Sequence, residues 1–296
     1  MISIIIPFYN EAESLPILVD QLVDQMEKIK KEYEIILVDD GSDDVDVNKL
    51  RVKSEKLKII THRKRLGKGQ ALKTGIKNSK GEILVFMDGD LQDDPKDINL
   101  FLKKINEGYD FVNGVRANRK ENILIKSYSY LATKFLKIFL HSPFTDINCG
   151  FKIFRKDVLN DFSFYGNNFR FFPLAVSYNG FKVTEINIMN NARKFGKSKF
   201  GPNKLFTGLL DTLTAYFLFK FSEKPLHFFG MIGGILFMIG FLISFYLAFE
   251  RIFFNVLLYR RPLLQLGILL IIVGIQVVMT GIIGELIVYQ NKKSNK

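Results

Sequence analysis

The stretch Ile83-Leu84-Val85-Phe86-Met87-Asp88-Gly89-Asp90-Leu91-Gln92 decides how this chain is read. A short apolar run that breaks into acidic residues and glycine predicts a buried strand ending in a loop. In an extended chain alternate side chains share a face, so Asp88 and Asp90 are expected to point the same way. Gly89 between them lets the backbone come close to a ligand. Hard divalent cations such as Mg2+ and Mn2+ take oxygen ligands and bind phosphates beside one or two carboxylates. Alone, the D-x-D pattern reads equally as an acidic loop, since Asp93, Asp94 and Asp97 follow.

The sequence upstream makes the pattern more specific. The chain opens with the β-branched run Ile2-Ser3-Ile4-Ile5-Ile6, which leads into Pro7-Phe8-Tyr9-Asn10-Glu11. A second strand is predicted over residues 34–38 and runs into Asp39-Asp40-Gly41-Ser42. Between them Leu15, Leu18, Leu22, Met26 and Ile29 recur at helical spacing. Strand, helix and strand in that order form a βαβ unit with parallel strands. Ligands of open α/β sheets bind beyond the carboxyl ends of the strands. Three such ends carry Glu11, Asp39 with Asp40, and Asp88 with Asp90.

Composition divides the chain. Of its 296 residues 48% are hydrophobic and 14% aromatic, and the apolar ones are unevenly spread. Residues 226–249 and 263–284 contain no charged side chain. Each run is long enough, at 1.5 Å per helical residue, to cross a hydrocarbon layer of roughly 30 Å. A pair of buried core helices is the alternative, but such helices rarely stay charge-free for so long. Two spans joined by residues 250–262 put both flanks on one side of a membrane. The basic excess there favours the cytoplasmic side, against the counter-signal of Arg251, Arg260 and Arg261 in the connection.

The formal charge of +12 suits a partner that is anionic phospholipid or a phosphorylated substrate. Nucleic acid is not expected, because no zinc-finger or RNP motif accompanies the basic residues. The single Cys149 excludes an internal disulfide framework and a cysteine-rich zinc site. His62, His141 and His227 lack metal-ligand spacing. Two segments, residues 123–141 and 204–221, read as basic or aromatic amphipathic helices of the kind that lie in the headgroup plane. For the first, ordinary packing against the sheet is an equal alternative.

Six motifs in order carry a family resemblance. They are Pro7-Phe8-Tyr9-Asn10-Glu11, Val38-Asp39-Asp40-Gly41-Ser42, Gly67-Lys68-Gly69-Gln70-Ala71, Asp88-Gly89-Asp90-Leu91-Gln92-Asp93-Asp94-Pro95, Asp146-Ile147-Asn148-Cys149-Gly150-Phe151 and Arg193-Lys194-Phe195-Gly196-Lys197-Ser198-Lys199. With the apolar pair behind them, the chain resembles family-2 glycosyltransferases of the GT-A fold. Within these it is similar to the polyprenyl-phosphate glycosyltransferases, the group of the dolichyl-phosphate mannose synthases and bacterial undecaprenyl-phosphate glucosyltransferases. The resemblance implies a nucleoside-diphosphate sugar held by Pro7, Tyr9, Glu11, Val38, Asp40, Lys68, Asp88 and Gly89. It implies Mg2+ or Mn2+ on Asp88, Asp90 and Gln92, with Asp90 also counted among the catalytic groups. The family commonly has alanine where Gly89 stands, a change of one small residue for another. Arg116 is implied to bind the phosphate of the lipid acceptor, with Ser198, and with Lys126 where some relatives have an arginine. Arg193, Ser198 and Lys199 are implied to close over the site, Arg193 and Lys199 adding charge to its catalytic groups. Asp146 stands where relatives place an acid near the acceptor; a base, an orienting group, a helix cap and a partner for Arg155 all remain open.

The expected organisation is an α/β GT-A domain with a mostly parallel sheet over residues 1–200 and an interfacial helix over 201–225. Transmembrane helices over 226–249 and 263–289 and a basic tail over 290–296 follow. The expected activity is metal-dependent, inverting transfer of a hexose from a UDP- or GDP-sugar to undecaprenyl or dolichyl phosphate at the cytoplasmic face of the membrane. Two alternatives remain: a glycolipid synthase that uses a diacylglycerol hydroxyl, and a non-catalytic membrane-anchored assembly protein. A processive polysaccharide synthase is disfavoured, since the chain contains no tryptophan for the Gln-x-x-Arg-Trp motif. The sugar, the base of the nucleotide and assembly into a homo-oligomer are left open by the sequence.

Overall fold

In the computed structural model the described residues are 1–44, 56–116, 134, 137–160, 162, 164, 166, 168–192, 203–255, 257 and 262–294, without the side chains of 203–207 and 209. They divide into two units, Met1–Ala215 and Tyr216–Lys296.

The first unit is built on seven strands: β1 Ile2–Phe8, β2 Tyr33–Asp39, β3 Leu57–Thr61, β4 Ile83–Phe86, β5 Phe111–Arg116, β6 Lys152–Arg155 and β7 Val183–Ile188. Their order across the sheet is β3-β2-β1-β4-β6-β5-β7. Strands β3, β2, β1 and β4 run parallel, with Ile4 opposite both Ile35 and Val85. Strand β6 is antiparallel to both its neighbours, and β5 and β7 are again parallel. The expected mostly parallel α/β sheet is present. Its order turns at β1–β4, where one connection leads to β2 and the other away, as at the switch points where such sheets bind ligands.

Helix α1, Leu15–Ile29, spans the predicted periodicity from end to end. Pro16 sits in its first turn, and Lys30 ends it in the left-handed conformation, donating its N–H to the Met26 carbonyl. Leu15, Leu18, Leu22 and Met26 are fully buried against Ile4, Ile6 and Ile35 on one face of the sheet. Helix α2, Lys68–Lys77, covers the other face beside Ile5, Val38 and Phe86. Gly75 allows that contact, because a β-carbon there would run into the Ile5 side chain. Helices α3, Ile98–Asn106, and α4, Phe172–Tyr178, complete the two layers. On the α2 side Phe86, Phe111, Phe154 and Phe172 form edge-to-face pairs, with Phe86 and Phe154 4.8 Å apart.

Helix α5, Asn203–Phe221, begins in the first unit and ends in the second. Two long helices follow, α6 Pro225–Phe254 and α7 Pro262–Ser294. Both are long and apolar enough to cross a membrane, and only 11% and 17% of their most apolar stretches are buried. That exposure is not the burial of core helices. Each helix outruns its charge-free stretch, because charge does not end a helix. Glu250 accepts from Tyr246 Oη at 2.7 Å inside α6, which ends only at Asn255 with φ +52°. The expected basic tail is helical through Ser294.

Glycines form the seam of this hairpin. Gly233 and Gly240 of α6 and Gly267, Gly274 and Gly281 of α7 are buried at seven-residue intervals. Small residues let two helices approach closely where lipid supplies no hydrophobic drive between them. Glu285 accepts from the Leu226 N–H at 3.3 Å, so an acid of α7 caps the first turn of α6. Adjacent glycines behave differently in this seam. A β-carbon on Gly233 would lie 2.6 Å from the Gly274 carbonyl oxygen, whereas one on Gly234 meets nothing within 4 Å. Gly233→Ala is therefore expected to destabilise the hairpin by about 1–3 kcal/mol. Gly234→Ala is expected to be neutral or to stabilise it by up to about 1 kcal/mol. Unfolding of the two variants in detergent micelles measures the difference, and equal behaviour would show that the seam is not formed.

Candidate active site

The carboxyl ends of β1 and β4 and the start of α2 enclose a cavity of about 200 Å3 lined by Pro7, Phe8, Tyr9, Glu11, Asp40, Arg65, Lys68, Ala71, Asp88, Gly89 and Asp90. Asp88 and Asp90 do share it, but not for the reason extended geometry gives. The chain leaves the strand after Phe86 and turns at Gly89–Asp90, with Leu91 at φ +61°. Asp90 Oδ1 closes the turn by accepting the Gln92 N–H at 3.2 Å. The missing side chain of Gly89 faces Phe8 and Leu15, at 3.3 and 3.4 Å from an added β-carbon, rather than the cavity. Its smallness serves the core, and alanine fits there with slight adjustment.

Asp88 is held from two sides. Its Oδ1 accepts from Lys68 Nζ, and Gly150 lies against the carboxylate so closely that a β-carbon would stand 2.6 Å from Asp88 Cγ. Burial works to raise the Asp88 carboxyl, but Lys68, Arg116 and Lys152 outweigh it and hold the group below the usual carboxylate range. Asp93, buried next to this pair, responds in the opposite direction. Burial, together with the charges of Asp88 and Asp90, pushes it up to about 7. Lys152 is buried at the foot of β6, where it donates to the carbonyls of Cys149 and Ile147. Burial brings it down to about 8.

The loop before α2 is fixed by Asp40. This buried carboxylate accepts from Leu66 N–H and Gly67 N–H, both at 2.8 Å, and meets His62 Nδ1 at 3.0 Å. Gly67, at φ +94°, offers no side chain to cap α2, which leaves the first-turn amides without a side-chain cap. Arg65, on the same loop, lies 4.2 Å over the Tyr9 ring and lines the cavity. Asp39 is turned inward to accept from Ser42 N–H at 2.8 Å.

Beyond the antiparallel strand stands a second charged pair. Arg116, at the end of β5, donates Nε and Nη2 to the two oxygens of Asp146 at 2.9 and 3.1 Å. The open alternatives for Asp146 narrow here: its partner is Arg116, while Arg155 faces Asp110 at 3.8 Å. A pocket that shares Pro7, Lys68 and Asp88 with the first cavity is lined also by Cys149, Gly150, Lys152 and Arg170.

Of the residues implied by resemblance, Pro7, Tyr9, Glu11, Asp40, Lys68, Asp88, Gly89 and Asp90 line one cavity. Val38 does not; it is fully buried beneath Ala71 and supports the floor. Gln92 is not among the lining residues. Lys126, Arg193, Ser198 and Lys199 lie outside the described residues. Among the described residues no three acids, histidines or cysteines gather as a metal cage. Two carboxylates on one cavity still suit Mg2+ or Mn2+, which usually take one or two carboxylates and complete their shell with phosphate and water.

Known proteins place this arrangement. Residues 3–163 match the family described as Glycosyl transferase family 2. A dodecaprenyl-phosphate galacturonate synthase of Rhizobium johnstonii is 30% identical, over 97% of this chain and 87% of the relative. An undecaprenyl-phosphate 4-deoxy-4-formamido-L-arabinose transferase of Pectobacterium atrosepticum is 29% identical, over 97% and 88%. The crystal structure of glucosyl-3-phosphoglycerate synthase from Mycobacterium tuberculosis, in complex with Mn2+ and UDP-glucose, shares the fold. It covers 73% of this chain and 78% of its own at a TM-score of 0.57 and 17% identity. With its sheet, its acidic cavity and a match over more than half its length, the chain belongs to glycosyl transferase family 2.

Proposed function

We propose that the protein transfers a sugar from a nucleoside-diphosphate sugar to a polyprenyl phosphate at a membrane, with a divalent cation at Asp88 and Asp90. The observation that carries this reading is the convergence of both carboxylates, Lys68, Arg65 and Tyr9 on one cavity at the carboxyl ends of β1 and β4. Relatives aligned over 97% of the chain are named for transfer to dodecaprenyl or undecaprenyl phosphate. The two apolar helices suit an enzyme whose acceptor resides in a bilayer, with α5 in the headgroup plane and the catalytic unit facing the cytoplasm.

The residues divide between donor and acceptor. Tyr9, Glu11 and Arg65 surround the nucleoside, Arg65 stacking on the aromatic face. Lys68 and the open first-turn amides of α2 face the diphosphate, where a helix N-terminus favours negative charge. When bound, the cation neutralises charge that builds on the leaving diphosphate. Gly150 and Lys68 keep the Asp88 carboxylate in place for it. On the motif alone, Arg193 and Lys199 are further cationic candidates and Ser198 a hydrogen-bond donor.

The acceptor phosphate has a second pKa near 6 and is largely dianionic at pH 7. Its oxygen attacks the anomeric carbon, the bond to the diphosphate breaks with its electron pair leaving on the diphosphate, and in-line displacement inverts the configuration. No strong base is required. That agrees with Asp146, whose two oxygens are taken by Arg116, and argues against a hydroxyl acceptor that depends on Asp146 for deprotonation. Arg116 retains N–H groups on Nη1 and Nη2 for the incoming phosphate.

Transfer of labelled sugar into organic-extractable lipid tests the reading, with a donor panel that sets hexoses beside a uronic acid and a formamido-pentose. Asp90→Asn is expected to lower the rate at least about 100-fold, and a chelator should abolish wild-type transfer. Equal rates in the variant, insensitive to chelator, would overturn the metal assignment. Gly150→Ala is expected to cost about tenfold or more in kcat by pushing Asp88 aside. Arg116→Ala should raise KM for polyprenyl phosphate about tenfold or more and leave KM for the nucleotide sugar near its original value.

A further inference from the structure

The Asp146–Arg116 pair rests on a residue that none of the motifs contains. Glu185, in the middle of β7, lies directly across from Asn113 of β5 in the parallel ladder. Its carboxylate accepts from Thr145 N–H at 2.8 Å, Thr145 Oγ1 at 2.6 Å and Asp146 N–H at 3.3 Å. Asn113 Nδ2 adds a fourth donor at 3.1 Å and also reaches the Asp146 carbonyl at 2.9 Å. Asn113 is fully buried, and its own Oδ1 has no partner among the described residues. The amide is thus turned entirely toward donation. Backbone and side-chain groups of Thr145 and Asp146 are held from one side by a single anion.

The chemistry of this contact is uneven. All four donors are uncharged, and among the described residues Glu185 has no ion-pair partner. Hydrogen bonds to a carboxylate are shorter and stronger than neutral ones, so the anion fixes the dipeptide firmly without cancelling its own charge. A structural strand position flanked by Thr184 and Ile186 needs no carboxylate for packing. What the arrangement does fix is the direction of the Asp146 side chain, which presents both oxygens to Nε and Nη2 of Arg116. A guanidinium held along one edge has its remaining N–H groups aimed in one direction.

We propose that Glu185 is a positioning residue: by clamping Thr145 and Asp146 it sets the orientation of the Arg116 guanidinium for the phosphate of the acceptor. The proposal rests on the reading of Arg116 as the acceptor-phosphate group, and the two are separable by experiment. Glu185→Gln keeps the shape but replaces one acceptor oxygen by a donor, so the Thr145 donors lose their partner or the amide must turn away from Asn113. Thr145→Val removes the hydroxyl bond alone and serves as the milder variant.

Two measurements decide it in the full-length protein. In steady-state kinetics with undecaprenyl phosphate, Glu185→Gln is expected to raise KM for the lipid about tenfold, with kcat and the nucleotide-sugar KM within about threefold of wild type. Thr145→Val should give a smaller rise of the same kind. Combined with Arg116→Ala, Glu185→Gln should add little, because both act through one guanidinium. A Glu185→Gln that changes both KM values alike, or whose effect multiplies with that of Arg116→Ala, overturns the proposal. The second measurement is independent of acceptor kinetics: phenylglyoxal labelling of Arg116, followed by peptide mass spectrometry, should run several-fold faster in Glu185→Gln and Thr145→Val. Unchanged labelling overturns the positioning role even if transfer is impaired. Faster labelling together with an Arg116→Ala variant of normal acceptor KM sustains the positioning role and rejects the acceptor reading instead.

Discussion

Like charges crowded at the end of β4 are the constraint around which this site is built. Asp88, Asp90 and Asp93 lie within six residues, and three ionised carboxylates so close together repel strongly. Cations from three separate places offset that repulsion: Lys68 from the start of α2, Arg116 from the end of β5 and Lys152 from the foot of β6. Asp93, buried first and crowded by Asp88 and Asp90 second, holds its proton more tightly. Two of these cations are in turn secured, Lys152 by backbone carbonyls and Arg116 by Asp146. The arrangement suits a site that receives a diphosphate, since its negative side is matched to a cation and its positive side to phosphate.

The antiparallel strand β6 is what makes this balance possible. It enters between β4 and β5 and brings the Asp146–Gly150 loop across the ends of both. That single reversal lays Gly150 on Asp88 and Asp146 on Arg116. Donor-side and acceptor-side residues therefore share one support, and Glu185 ties that support to the far strand β7. A phosphate nucleophile and a diphosphate leaving group need such fixed neighbours, because electrostatic stabilisation is effective only when the charges do not have to reorganise.

The hairpin obeys a different physics. In α6 and α7 most of the buried positions are glycine, with Leu247 the large exception, and the outward ones are large and apolar, the reverse of a helix pair in water. Seven-residue glycine spacing brings the two backbones together, and Glu285 supplies the capping acceptor that the first turn of α6 lacks. The spacing is visible in the sequence once the two helices are known to pair. Read as composition alone, the same glycines register only as part of two apolar runs.

Periodicity and order along the chain determined the βαβ start, the buried β4, the two apolar spans and the family, because those depend on local pattern: Leu15 to Ile29 can form only one amphipathic face, and each strand follows its own run of β-branched residues. Tertiary structure decided what each polar side chain faces. Asp40 and Asp39 are neighbours of equal type, yet one fastens the Leu66–Gly67 amides beside the cavity and the other turns to Ser42. Val38 sits inside a motif but under the floor, whereas Arg65, Lys152 and Glu185 stand at or behind the site although none of the six motifs contains them. Spacing fixes which way a side chain leaves its own element; what it meets there is set by strands far away in sequence, and charge at close range is governed by those meetings.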